Sequence, residues 1–124
     1  MLKGVVKSGV GEGAMFMAME HYALGMEEEL GFAPYKGTLN LQANKEEAQR
    51  FIGSLQKQYL PGFTKGTKKF GGVKLYPCHI KHIQAAIVVP EYTRYDLSTV
   101  EIIAEPYLRS ALKLKDGDQV TLTP

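Results

Sequence analysis

The stretch Val73–Pro90, VKLYPCHIKHIQAAIVVP, predicts two β-strands in succession with no helix between them. Before it, Pro61–Gly72 (PGFTKGTKKFGG) indicates a loop or hairpin, and after it Glu91–Thr99 indicates a loop. Val100–Glu105 (VEIIAE) then predicts a further strand. Short strands that do not alternate regularly with helices argue against a doubly wound parallel sheet. They favour a mainly β protein, a small and mostly antiparallel β-barrel with two or three helices.

The other predicted elements lie toward the two ends of the chain. Apolar residues recur every four positions in one segment, which predicts an amphipathic helix ending at Gly31. Asn44 precedes a segment with two acidic residues in its first turn, which predicts a capped helix. A proline at the first helical position favours a third, short helix. The predicted elements are strands within Leu2–Ser8, Gly37–Ala43 and Lys115–Thr123, helices at Glu20–Phe32, Lys45–Leu60 and Pro106–Leu114, and an apolar segment of undecided class at Ala14–Glu20.

Composition limits the class of protein. The 124 residues suit one domain, and 44% hydrophobic with 23% charged residues is typical of a globular chain. The net charge of +2 is too small to argue for nucleic acid, and no apolar run approaches the ~18 residues of a membrane span. Cys78 is the one cysteine, and a zinc site with His79 and His82 is disfavoured because those histidines would face opposite sides of a strand. Without an internal disulfide or a signal-peptide core, we expect a cytoplasmic protein with neither membrane nor nucleic-acid partners.

A glycine-rich segment follows the first strand. Ser8–Ala14 (SGVGEGA) has three glycines spaced two apart, and backbone N–H groups in such a loop can form a phosphate-binding nest. The segment matches neither the Walker nor the dinucleotide pattern. A hairpin turn explains it equally well, so both interpretations stay open.

A pair of polar residues interrupts the strand predicted at GTLN. Thr38 and Asn40 point to one side of that strand, while Leu39 and Leu41 point to the other. Hydroxyl and amide oxygens are hard ligands that could complete the octahedron of Mg²⁺ together with phosphate oxygens and water. The alternative, which pattern alone favours, is the solvent-facing side of a half-buried strand.

Two further candidates lie near the C-terminus. Glu101 interrupts an apolar strand, where a charged group needs a partner or a role, and it could accept a proton or bind a substrate hydroxyl. Plain alternation would instead place it with Ile103 on an outward face. In EPYLR, the first helical N–H groups could meet a phosphate, and Arg109 could add positive charge. An ordinary surface helix is the default alternative.

Five segments, taken in order, are more specific than any one of them. They read SGVGEGAMF (8–16), LGFAPYKGTLNL (30–41), KKFGGVKLYP (68–77), VVPEYTRYDLSTVEIIAEPYLR (88–109) and LKLKDGDQVTLT (112–123). This series resembles the archaeal CTP-dependent riboflavin kinase family over nearly the whole chain, most distinctively in GFAPYKGTLNL and VEIIAEPYLRSALKLKDGD. The resemblance implies a single domain over residues 1–124, folded as a small six-stranded cradle-loop barrel of the riboflavin-kinase type.

The resemblance also implies a reaction and a set of site residues. The γ-phosphoryl group of CTP would pass to the 5′-hydroxyl of riboflavin, giving FMN and CDP, with Mg²⁺ as the cofactor and a monomer as the working unit. Thr38 and Asn40 would bind Mg²⁺, and Thr93 and Glu101 would contact the flavin. Our own hypothesis from the chemistry adds that Glu101 is the catalytic residue, which orients the riboflavin hydroxyl and takes up its proton. By the same resemblance, the nucleotide would be bound by Gly9, Val10, Gly11, Glu12, Gly13, Ala14, Pro106, Tyr107, Leu108 and Arg109.

One departure from expectation concerns charge. Ala14 and Met15 bring no positive charge to the glycine-rich segment, so it would have to come from Mg²⁺, Lys36, Arg109 or backbone dipoles. Rival interpretations are a flavin or nucleotide sensor without turnover, and the same kinase using ATP. A DNA-binding barrel would require a concentrated basic face, which 15 basic and 13 acidic residues do not indicate.

Overall fold

The computed structural model describes residues 1–8, 12–91 and 96–124, with the backbone alone for residues 12–18. These ranges contain nine strands and three helices. In chain order the elements are β1 Leu2–Lys7, α1 Glu12–Leu30, β2 Leu39–Gln42, α2 Lys45–Gly53, β3 Gln58–Leu60, β4 Phe63–Lys65, β5 Lys68–Phe70, β6 Val73–Ile80, β7 Ile83–Pro90, β8 Thr99–Ala104, α3 Leu108–Ala111 and β9 Gln119–Thr123.

Six of the strands close into an antiparallel barrel. The ring runs β6–β7–β8–β2–β1–β9 and returns from β9 to β6, while β3 extends β6 outside the ring and β4 pairs with β5 as a separate hairpin. The pairing of β6 with β7 is the longest, with eight residue pairs. The closing pairing of β6 with β9 has two, His79 with Thr123 and Ile80 with Leu122. The predicted mainly β barrel is therefore confirmed.

Two apolar clusters lie on opposite faces of the barrel wall. Alternate residues of all six strands fill the interior, among them Leu41, Ile102 and Leu122, which are fully buried. The intervening residues of β6, β7 and β8 form a second cluster on the outside, where α1 covers them with Met26. As a result β8 is buried on both faces, and this explains why its sequence is an apolar run rather than a clean alternation.

Predicted helix ends agree with the structure where a side chain or a glycine determines them. Gly31 has a φ of 80° and donates its N–H to the Glu27 carbonyl at 2.9 Å, so α1 ends with the left-handed residue that glycine favours. The Asn44 side chain accepts the N–H of Glu47 at 3.0 Å and so caps α2.

Three predicted boundaries were wrong. The first helix begins at Glu12, so the segment of undecided class is helical and the glycine-rich loop is shorter than predicted. The second helix ends at Gly53, because Gln58–Leu60 pairs with β6 as a strand. The third begins at Leu108 with Tyr107 as its N-cap, which leaves Pro106 before the helix rather than at its first position. No helix in the described ranges is long and apolar enough to cross a membrane.

Candidate active site

Three polar side chains lie side by side across neighbouring barrel strands. Lys7 of β1 is directly opposite Asn40 of β2, and Asn40 is directly opposite Glu101 of β8. Directly opposed residues of antiparallel strands project to the same face. That face is the outer one, because Val6, Leu41 and the other alternate residues of these strands fill the interior.

Asn40 and Glu101 are deeply buried, with 1% and 6% of their surface exposed. Within the described part of the chain, they are the two polar or charged residues in the buried class. Burying such groups costs free energy that an apolar pair would not, so stability alone does not explain them. The geometry therefore marks this pair as the place where chemistry is expected.

The structure agrees with the predicted strand faces, on which Thr38 lies with Asn40 and Glu101 lies with Ile103. The alternative that these faces point to solvent is wrong. Thr38 donates its hydroxyl to the Asn40 side-chain oxygen at 3.2 Å, which places both residues on one side of β2. That side is buried at Asn40. Glu101 does share a face with Ile103, but Ile103 is fully buried in the cluster that α1 covers.

The pair of oxygens on β2 fits a small hard cation. An octahedral Mg²⁺ with ligands near 2.1 Å places adjacent ligand oxygens ~3 Å apart, and the Thr38 and Asn40 oxygens are 3.2 Å apart. Among the described residues, no group of three or more His, Cys, Asp or Glu side chains could hold a metal by itself. A cation on this pair would thus take most of its ligands from phosphate and water, as Mg²⁺ commonly does.

A cavity of about 210 Å³ opens beside Thr38. The segment before β2 and the segment before α3 form its walls, joined by the Tyr35 N–H, which donates to the Ala104 carbonyl at 2.8 Å. The rings of Tyr35 and Tyr107 stack with centroids 4.8 Å apart. The cavity is lined by Tyr35, Lys36, Gly37, Thr38, Leu39, Ala104, Pro106, Tyr107, Leu108 and Arg109. One of the two predicted metal ligands and the predicted nucleotide-binding tetrapeptide 106–109 therefore share one cavity.

Arg109 ties this cavity to the end of β1. Its guanidinium donates to the Asp116 carboxylate at 2.7 Å and to the Ser8 hydroxyl at 3.0 Å. The hydrogen bond from Ser8, and then that from Arg109, hold the pKa of Asp116 below its usual value. The charge of Arg109 is therefore already paired with a carboxylate next to the start of the glycine-rich segment.

A second cavity, of about 20 Å³, is lined by Glu101. Val88, Pro90, Asp96 and Thr99 also line it. Thr93, predicted to contact the flavin, lies outside the described residues, as do Gly9, Val10 and Gly11 of the glycine-rich segment. Glu12, Gly13 and Ala14 were predicted to lie in a loop. They instead form the first turn of α1, where helical N–H groups lack intrahelical acceptors.

Sequence reasoning missed Lys7. Its ammonium group donates to the Thr99 hydroxyl at 2.9 Å and so lies on the same outer face as Asn40 and Glu101. The available signal was positional, because a lysine at the end of the first strand directly precedes the glycine-rich segment. Lys36, the lysine predicted to supply charge, forms a 3.6 Å ion pair with the exposed Glu20.

The structure defines a closed antiparallel barrel with buried polar residues beside a cavity, and comparison with known proteins identifies its family. A family model named for CTP-dependent riboflavin kinases (CTP-dep_RFKase), described as domain of unknown function DUF120, matches residues 6–123. The chain belongs to this family.

Curated relatives agree with the family match. The chain is 43% identical to a riboflavin kinase of Pyrobaculum aerophilum, covering 96% of this chain and 58% of the relative. It is 43% identical to a riboflavin kinase of Archaeoglobus fulgidus, covering 96% and 52%, and 42% identical to one of Methanosarcina barkeri, covering 98% and 55%. The chain thus spans little more than half the length of these relatives.

Proposed function

We propose that this chain is a riboflavin kinase, which transfers the γ-phosphoryl group of CTP to the 5′-hydroxyl of riboflavin and releases FMN and CDP. The observation that carries the proposal is the placement of Asn40 directly opposite Glu101 on adjacent strands, with Thr38 bonded to Asn40 and lining the cavity walled by residues 106–109. Phosphoryl transfer needs chiefly positioning and charge neutralisation, and these residues can provide both. The family name supports CTP as the donor, and the names of the relatives support riboflavin as the acceptor.

In this mechanism the 5′-oxygen of riboflavin forms a bond to the γ-phosphorus, and the bond from that phosphorus to the β–γ bridging oxygen breaks. Glu101 orients the attacking hydroxyl and takes up its proton, while the electron pair of the broken bond stays on CDP. A positioned base of this kind contributes ~10²–10⁴-fold to a rate. Thr38 and Asn40 would hold Mg²⁺, which supplies positive charge to the phosphate oxygens when bound.

The nucleotide would lie between the 210 Å³ cavity and the start of α1. The unpaired N–H groups in the first turn of a 19-residue helix favour an anion at that end. The flavin would lie along Glu101 and segment 92–95. Because a flavin ring is larger than the 20 Å³ cavity there, the proposal requires the lining residues to move apart on binding. A monomeric state and a cytoplasmic location belong to the same proposal.

A donor panel tests the proposal. The protein is incubated with riboflavin, Mg²⁺ and CTP, ATP, GTP or UTP separately, and FMN is separated from riboflavin by chromatography. We expect FMN with CTP and little with the other nucleotides. Equal FMN with ATP would refute the donor assignment and keep the chemistry. Tight riboflavin binding without FMN from any donor would refute the kinase and leave a flavin sensor.

A further inference from the structure

Lys7 is a cation at the candidate active site, and the proposed function described above gives it no role. We propose that the Lys7 ammonium group binds the phosphate chain of the nucleotide and that Thr99 positions it for this contact. The proposal rests on the proposed kinase function. It gives this chain a source of positive charge that Ala14 and Met15 do not provide.

The first argument is the position of Lys7 in the sheet. It is directly opposite Asn40, which is directly opposite Glu101, and neighbouring strands lie ~4.8 Å apart. The flexible lysine stem carries the charge toward β8, where the ammonium group donates to Thr99 at 2.9 Å. Thr99 is two residues before Glu101 and faces the same side of β8. The ammonium group therefore lies on the same outer face as Asn40 and Glu101, at the Thr99 end of β8. From there the flexible lysine stem can turn the charge to a phosphate group beside Asn40.

The second argument compares the cations around the site. Arg109 is 2.7 Å from the Asp116 carboxylate, and Lys36 is 3.6 Å from Glu20. Lys7 instead donates to a neutral hydroxyl, and among the described residues no carboxylate lies within 4.0 Å of its ammonium group. Asp96 is a described carboxylate that senses the charge of Lys7 without forming an ion pair with it. Hydrogen bonds from Ser98, and then the charges of Lys45 and Lys7, lower the pKa of Asp96. The charge of Lys7 is thus less closely paired than that of Arg109, and an anion can still contact it.

The third argument is that Lys7 leads directly into the nucleotide-binding region. Its carbonyl accepts a hydrogen bond from Arg109 at 3.3 Å, and the next residue, Ser8, contacts both Arg109 and Asp116. The backbone at Lys7 is thus anchored to the segment that lines the larger cavity. A side chain on an anchored backbone, further restrained by Thr99, can contact phosphate without a large loss of conformational entropy.

The test uses Lys7→Met, which keeps most of the stem and removes the charge. We expect CTP binding with Mg²⁺, measured without riboflavin, to weaken about 10- to 100-fold, as for the loss of a hydrogen bond to a charged group. Riboflavin binding should stay within about twofold, because the change removes a phosphate contact only. Lys7→Arg should restore most of the CTP affinity. Lys3→Met is the matched control, since Lys3 is an exposed lysine on the same strand and the same face, and it should leave CTP binding unchanged.

Positioning by Thr99 is tested by a double-mutant cycle. Thr99→Val should weaken CTP binding by less than Lys7→Met, and it should cause no further loss in the Lys7→Met background. Thermal unfolding of each variant separates a binding defect from a folding defect, and a folded Lys7→Gln replaces Lys7→Met if the latter is unstable. Unchanged CTP affinity in a folded Lys7→Met or Lys7→Gln variant overturns this inference, as does an equal loss in Lys3→Met. If the unsubstituted protein forms FMN, such a result refutes the role of Lys7 alone, whereas no FMN from it refutes the kinase.

Discussion

Glu101→Gln is the substitution that tests the proposed chemistry most directly. The exchange keeps the size and shape of a side chain that is 6% exposed and lies opposite Asn40 and Val88 on the neighbouring strands. Packing against the outer cluster should therefore persist, because the amide occupies nearly the same volume as the carboxyl group. The change removes only the negative charge and the capacity to accept a proton.

The expected loss is in the rate of phosphoryl transfer. If Glu101 accepts the proton of the 5′-hydroxyl, kcat should fall by ~10²–10⁴-fold, which corresponds to ~3–5 kcal/mol in the activation free energy. The affinity for CTP should change by less than about twofold, because the proposed nucleotide contacts come from other residues. The assay is FMN formation at saturating CTP and riboflavin, with CTP binding measured separately by calorimetry.

Glu105→Gln is the matched control, because Glu105 is an exposed carboxylate just after the end of the same strand. It should leave kcat and the riboflavin KM unchanged. A Glu101→Gln variant that keeps its kcat within about threefold would contradict the role of Glu101 as a base. A raised riboflavin KM with normal kcat would make Glu101 a hydrogen-bond partner of the flavin instead.

Further experiments test the metal pair and the outer cluster by substitution, and the cysteine by its reaction rate. Asn40→Ala should raise the Mg²⁺ concentration that gives half-maximal rate by at least about tenfold. The control Asn44→Ala removes the cap of α2 and should lower the unfolding free energy by ~1 kcal/mol, but it should leave that Mg²⁺ concentration unchanged. Tyr22→Phe removes the hydrogen bond to the Gly71 carbonyl and should lower the unfolding free energy by ~0.5–1.5 kcal/mol in urea titrations; an unchanged midpoint would contradict that bond. Burial raises the pKa of Cys78 to about 12 from 9.0, so at pH 8 its folded-state reaction with a thiol reagent should be about 10³-fold slower than in denaturant, and comparable rates would show that the thiol is exposed.

Local patterns predicted the parts of the fold that depend on neighbours in sequence. Val73–Pro90 forms the two adjacent strands that its composition indicates, and Asn44 and Gly31 determine helix ends through their own side chain and backbone. The helix prediction was wrong at Gln58–Leu60, because this segment pairs with β6 as a strand. That long-range pairing outweighs the helix propensity of the segment. The helical start at Glu12 was missed because the glycine spacing in the sequence indicated a loop, while the helix in the structure begins within that segment.

The site shows the same division. The side-chain directions of Thr38, Asn40 and Glu101 follow from strand alternation, and the structure agrees with them. Their burial could not be derived, since it depends on contacts between elements that are far apart in the sequence. Lys7 was missed for a related reason, because its nearness to Asn40 is set by strand pairing rather than by spacing in the chain.

The row formed by Lys7, Asn40 and Glu101 depends on the register of β1, β2 and β8. A slip of one residue between β2 and β8 would turn Glu101 into the barrel interior and bring an apolar neighbour to the outer face. A chain with that error could still bury much of its apolar surface, because β8 is apolar on both faces, yet it would lack the carboxylate proposed to act as the base. Recovery of activity during refolding would therefore report correct strand registration, an event that compaction or the return of β-structure alone does not reveal.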